Sequence, residues 1–311
     1  MRKILAAILL LVTSFSYSAK AETFSFPTVA IIDTGINSSL EFFKDRIVHE
    51  VCLINFDPVY NSCPNGSNVM EGPGSANLPL NIITKNGFDH GTQMSSVAVK
   101  TNLTVKIVFI RIIGYNQDGS RQISGESSLN NALDWVYKNK EKFNIQAVSM
   151  SQGHHNLGVS GTDYCPKTPI TENKINELIS IGVPTFFSAG NGRDYQRIDW
   201  PSCIPSSIAI GATMPEKSIA IYSNFDPNLV DFFALGTHRA FNPDGKIKNI
   251  AGTSASAVVA ATQWATVKNN RPSLSYLEVY DIFSRTSILT SNSKVTGGKL
   301  INFEGAFYDK R

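Results

Sequence analysis

Three short strings carry groups that can do chemistry together: Asp33-Thr34-Gly35, His90-Gly91-Thr92 and Gly252-Thr253-Ser254. They supply a carboxylate, an imidazole and a hydroxyl. A serine hydroxyl is a poor nucleophile at neutral pH, so an imidazole must take its proton. A carboxylate must then hold that imidazole in one tautomer and stabilise the imidazolium that forms. Each string alone is common in proteins. Their joint occurrence, each at a junction of a predicted strand or helix with a loop, is specific.

Such groups need a scaffold that places them at one edge. Pro27 to Ile32 reads as a buried strand that ends at Asp33, and Val105 to Ile113, Ile145 to Met150, Val183 to Ser188 and Ile208 to Ala212 read as further strands. Helical spacing appears over 127–139 (Leu129, Ala132, Leu133, Val136), 173–181 and 254–268. Apolar strands alternating with helices predict an α/β fold of three layers, with a mainly parallel central sheet and helices on both faces. Sites in such sheets lie at the carboxyl ends of strands, where Asp33 and Asn191 fall. Ser254 opens a predicted helix, whose unpaired N–H groups and dipole favour negative charge.

The 311 residues are 42% hydrophobic and 17% charged, with a net charge of +3. That composition fits one large globular domain. The basic residues are scattered, which gives no footprint for nucleic acid. Arg2 and Lys3, nine apolar residues from Ile4 to Val12, and Ala19-Lys20-Ala21 together read as a secretory leader over 1–21, cleaved after Ala21. Nine apolar residues are too few to cross a bilayer. Residues 22–311 are then a single exported domain, periplasmic or extracellular, with no membrane span. Four cysteines in an oxidising compartment suggest disulfides, and four allow three pairings. Cys52–Cys63 and Cys165–Cys203 are favoured, the first closing a short loop rich in Asn, Pro and Gly. No Cys or His spacing suits a metal.

On these strings the chain resembles the subtilisin-like serine proteases, the subtilases. The order Asp, His, Ser is the one known for subtilisin. The resemblance runs from about Val29 to Ala306 and includes Val29-Ala30-Ile31-Ile32 before Asp33, Ser188-Ala189-Gly190-Asn191, and Trp200-Pro201. It implies a serine endopeptidase with Asp33, His90 and Ser254 as its triad, and with the Asn191 amide donating to the oxyanion. It further implies that Ser151-Gln152-Gly153 pairs with substrate, and that Ser188, Ala189 and Gly190 form the facing pocket wall. Asp199, just before Trp200-Pro201, would be the pocket floor and would attract Lys or Arg. The alternative is that Asp199 turns to solvent or pairs with Arg193 or Arg197. The implied partner is a protein or peptide substrate, acted on by a monomer. No cofactor is required, and a structural calcium has no motif here.

The sequence also departs from the family. Ala255 follows the serine where Met is usual, and Val258 stands where a proline is usual. Only about six residues separate Ala21 from the first strand, which leaves no room there for a prodomain. The stretch from Cys52 to Gly87 reads as an inserted loop. Two other functions share these motifs: a catalytically silent subtilase fold that binds peptides, and an esterase using the same constellation. His154-His155 reads as a solvated loop, His49 and His238 carry no motif, and Trp135 and Trp264 read as packing residues.

Overall fold

A strand that is apolar on both faces needs cover on both sides, and the sequence supplies several. The structure is a computed structural model that describes residues 26–54, 63–85, 87–116, 118–122, 125–153 and 165–310. The expected leader and His154-His155 lie outside the described residues. The chain runs β1 (Thr28–Asp33), β2 (Ile47–Leu53), β3 (Val69–Glu71), α1 (Leu80–Ile83), α2 (His90–Thr101), β4 (Lys106–Arg111), β5 (Gly114–Tyr115) and β6 (Arg121–Gln122). It continues through α3 (Glu126–Phe143), β7 (Ile145–Met150), α4 (Pro169–Ser180), β8 (Thr185–Ser188), β9 (Ile208–Thr213) and β10 (Val230–Leu235). The last elements are β11 (Thr237–Phe241), β12 (Ile247–Ala251), α5 (Thr253–Asn270), α6 (Tyr276–Thr286), β13 (Ile288–Thr290), β14 (Gly298–Leu300) and α7 (Phe303–Phe307).

The central sheet has the order β13-β14-β10-β9-β8-β7-β1-β4-β2-β3. Every pairing from β14 to β2 is parallel, and antiparallel strands occur at the two edges, β13 on β14 and β3 on β2. Successive side chains point to opposite faces. Val29, Ile31, Ile107, Phe109, Phe186 and Ile210 therefore join one core, under α2, α5 and α6. Ala30, Ile32, Val108, Ile110, Phe187 and Ala209 join the other, under α3 and α4. These are the three layers the alternation predicts. Both expected disulfides, Cys52–Cys63 and Cys165–Cys203, are present. No helix among the described residues is long and apolar enough to cross a membrane.

Some elements escape the sequence reading. In α2 every residue from Gly91 to Val99 is buried, so the helix has no polar stripe to mark its period. The stretch expected to be an inserted loop holds an edge strand, β3, and a helical turn, α1. Helix α5 is also buried on nearly all sides and runs unbroken past Val258, whose carbonyl accepts from Thr262 Oγ1 at 2.7 Å. A proline in that place would remove a helix donor.

Candidate active site

The carboxyl ends of neighbouring parallel strands bring the candidate residues together. Asp33 ends β1, which lies between β4 and β7. Its side chain is fully buried, and Oδ1 accepts the Thr34 N–H at 2.7 Å. Thr34 then fixes the next element. Its hydroxyl donates to Phe88 O (3.1 Å) and accepts from Gly91 N (3.2 Å), which holds the start of α2 against the end of β1. His90, the first residue of α2, thereby places Nδ1 2.9 Å from both Asp33 oxygens. Facing a carboxylate, Nδ1 carries the proton, which leaves Nε2 as the basic nitrogen. Burial disfavours the charged imidazolium, but the charge and hydrogen bond of Asp33 outweigh it, with help from Asp89. His90 is therefore raised above its ordinary 6.5, although Arg121 pulls the other way.

Ser254 is the second residue of α5, behind Gly252. Its N–H lies in the first turn, where no intrahelical acceptor exists. Thr253 organises what surrounds it. The Thr253 N–H and hydroxyl donate to Asn191 Oδ1 at 2.9 and 3.1 Å, and the same hydroxyl accepts from Gly190 N at 3.2 Å. With its oxygen so held, Asn191 presents Nδ2 as a donor. His90, Asn191, Gly252 and Ser254 line one cavity of about 330 Å³, which Lys248 also lines. Ser151 Oγ donates to Ser254 O at 3.1 Å and ties the end of β7 to the same helix.

β7 and β8 pair as far as Met150 and Phe187. Ser151-Gln152-Gly153 and Ser188-Ala189-Gly190 follow these ends, and Asp199 lies against both Gly153 and Gly190. The Asp199 N–H donates to Ala189 O at 2.9 Å. A Cβ on Gly153 would stand 3.6 Å from Asp199 Cβ and too close to Trp200 O. Gly190 has φ +106°, and a Cβ there would collide with the Asp199 carboxylate and the Asn224 amide. Asn224 Nδ2 donates to Asp199 Oδ1 at 2.9 Å, while its own oxygen accepts from Gly192 N and Asp194 N. Arg197, a candidate partner of Asp199, pairs with Asp194 at 2.8 Å instead. The Gln152 side chain turns to Asp33. Its Nε2 lies 3.2 Å from Asp33 Oδ1.

A model of the subtilase family matches residues 26–305. The chain belongs to the subtilase family. This is a family of serine proteases. The subtilase is 24% identical to M-protease of Shouchella clausii (strain KSM-K16) over 243 residues, which cover 75% of this chain and 58% of that protein. It is 23% identical to Subtilisin Savinase of Lederbergia lenta over 243 residues, 75% of this chain and 82% of that one. Among solved structures, a cold-adapted subtilisin-like serine proteinase shares the fold with TM-score 0.61 at 22% identity, covering 88% of this subtilase and 87% of that chain. The prenylagaramide maturation protease PagA does so with TM-score 0.65 at 14% identity, covering 92% and 94%.

Four residues of this subtilase matter here that the sequence reading passed over. Thr34 and Thr253 sit inside the motifs themselves, and their hydroxyls were the available signal. Arg121 on β6 and Asn224 in a loop are distant in the chain and carry no local signal. Among the described residues, no cluster of His, Cys, Asp or Glu is placed to hold a metal ion.

Proposed function

We propose that this chain is an exported serine endopeptidase that cleaves peptide bonds through an acyl-enzyme. The observation that carries the reading is the convergence on one cavity of Ser254, Asn191 and a His90 bound to Asp33. Ser254 Oγ attacks the scissile carbonyl as His90 Nε2 takes its proton, and Asp33 stabilises the imidazolium. The Ser254 N–H and Asn191 Nδ2 donate to the oxyanion. His90 returns the proton to the leaving amine, and water then repeats the attack on the acyl ester. Because His90 is raised above 6.5, activity falls on the acid side from above that pH, as the imidazolium can no longer accept a proton.

The side chain before the cut enters between Ser151–Gly153 and Ser188–Gly190 and meets Asp199. Asn224 holds one carboxylate oxygen, and the other lies on the Gly190 side. A fixed carboxylate there favours Lys or Arg and disfavours apolar side chains. Two disulfides support an oxidising compartment, hence export. The chemistry requires no cofactor, and one chain acting on protein or peptide is sufficient.

A fluorophosphonate probe tests the nucleophile. We expect labelling of the full chain and none of Ser254→Ala. Absence of labelling in the unaltered chain would sink the protease and esterase readings together and leave a peptide-binding module. A peptide panel varied only before the cut tests the pocket. Arg and Lys should lead, and Asp199→Ala should erase their lead. Equal cleavage after Phe, unchanged in Asp199→Ala, would refute the acidic floor.

A further inference from the structure

We propose that Gln152 is a positioning residue for the Asp33–His90 pair, and that Arg121 decides which end of the Gln152 carboxamide faces Asp33. The proposal rests on the protease reading only for its consequence in rate.

Two neighbouring strands of the central sheet and a separate hairpin meet over Asp33. Gln152 follows β7, Asp33 ends β1, and Arg121 lies on β6, in the hairpin that follows β4. Gln152 Nε2 is 3.2 Å from Asp33 Oδ1 and 3.3 Å from His90 Nδ1, while Gln152 Oε1 is 3.3 Å from Arg121 Nη1. The His90 Nδ1 proton is directed at Asp33, so Gln152 gives its own proton to the carboxylate. The two ends of a carboxamide are nearly equal in shape, and their environment must choose between them. A guanidinium has donors and no acceptor, so it can face only the oxygen. Arg121 therefore turns the Gln152 NH₂ toward Asp33. Flipped, the carboxamide would set oxygen against oxygen.

The consequence lies in the angle of the imidazole. His90 Nδ1 is 2.9 Å from both Asp33 oxygens, so distance alone does not choose between them. Oδ1 already accepts from Thr34 N and Gln152, which leaves Oδ2 as the less occupied acceptor. Loading Oδ1 biases the Nδ1 proton to Oδ2 and fixes the plane of the ring, and with it the direction of Nε2 toward the Ser254 side.

The charged groups around His90 are Asp33 on β1, Asp89 just before α2, Arg121 on β6, and Lys248 on β12, which lines the same cavity and lies 3.6 Å from Asp89. Arg121 is the cation that pulls His90 downward, and its removal leaves Asp33 untouched.

NMR titration of His90 in the full chain, combined with steady-state kinetics, tests the proposal on Gln152→Leu, Arg121→Met and Arg121→Lys. Gln152→Leu should move the Nδ1–H resonance and lower kcat by about tenfold or more, the value of one hydrogen bond to a charged acceptor, with KM kept. Arg121→Met should raise the His90 midpoint and move the acid limb of kcat/KM upward, an effect that fades at high salt. Arg121→Lys keeps the charge and one donor and should restore most of both. An unmoved resonance and unchanged kcat in Gln152→Leu would overturn the proposal. The NMR readout needs no turnover. An inactive chain whose His90 responds to Gln152→Leu would sink the protease reading alone, and an active chain whose His90 does not respond would sink this one alone.

Discussion

Two shielded carboxylates sit at opposite ends of the same sheet. Asp33 lies at the carboxyl end of β1 and meets a backbone N–H, a carboxamide and His90. Asp231 lies near the amino end of β10 and accepts from Tyr280 OH at 2.7 Å and from Ala209 N at 2.8 Å. Burial pushes Asp231 upward, and these two hydrogen bonds resist it only in part. Asp33 instead passes its influence to a partner that titrates, raising His90. Shielding a carboxylate costs free energy in either place. What separates a structural site from a reactive one is whether the partner can change its proton count during a reaction. A tyrosine hydroxyl beside Asp231, with its own value pushed up by burial and by that carboxylate, does not do so near neutral pH.

Asparagine at each position gives the strongest test of that contrast. Asp33→Asn should lower kcat by about 10⁴, the loss known for this change in a serine protease triad, because the amide stabilises the wrong tautomer of His90. The protein should remain folded, as read by circular dichroism. Asp33→Asn activity within tenfold of the unaltered chain would remove the reason for treating the two ends differently.

Asn191→Ala sharpens the contrast from the acceptor side. Its oxygen is held by Thr253 and its N–H is left to act. We expect kcat to fall by about 10² to 10³ with KM little changed, the range measured for the matching donor in subtilisin itself. A loss confined to KM would assign Asn191 to substrate binding.

Asp231→Asn should do least. Ala209 N can keep the amide oxygen, and the Tyr280 hydroxyl can rotate to accept from the amide nitrogen. Activity should be unchanged and stability altered by about 1 kcal/mol or less in denaturant melts. A pH trend should disappear as well. A carboxyl raised above 3.8 in the fold contributes stability that is present below 3.8 and lost as pH rises through the folded value, and asparagine cannot contribute it. Loss of activity in Asp231→Asn would show the two ends to be coupled.

The sequence by itself determined the layers and named the groups of the candidate site. β1, β4, β8 and β9 bury both faces and so had to lie inside a parallel sheet between helices, and strand ends had to carry Asp33 and Asn191. It also determined the hydroxyl, imidazole and carboxylate, because those groups follow from residue type and order. Tertiary structure decided the rest. Helix α2 was hidden because it is surrounded, and a helix with no exposed face has no period to read. Gln152 reads as a pocket wall in sequence and turns to Asp33 in the fold, since the direction of a side chain depends on a guanidinium that lies 31 residues away. Asp199 stood out in sequence as the proposed pocket floor, but the donor that holds it, Asn224, lies 25 residues further along the chain. Local patterns record what a segment must bury. They carry no record of which distant donor will meet a given acceptor, because that pairing exists only after the strands have stacked.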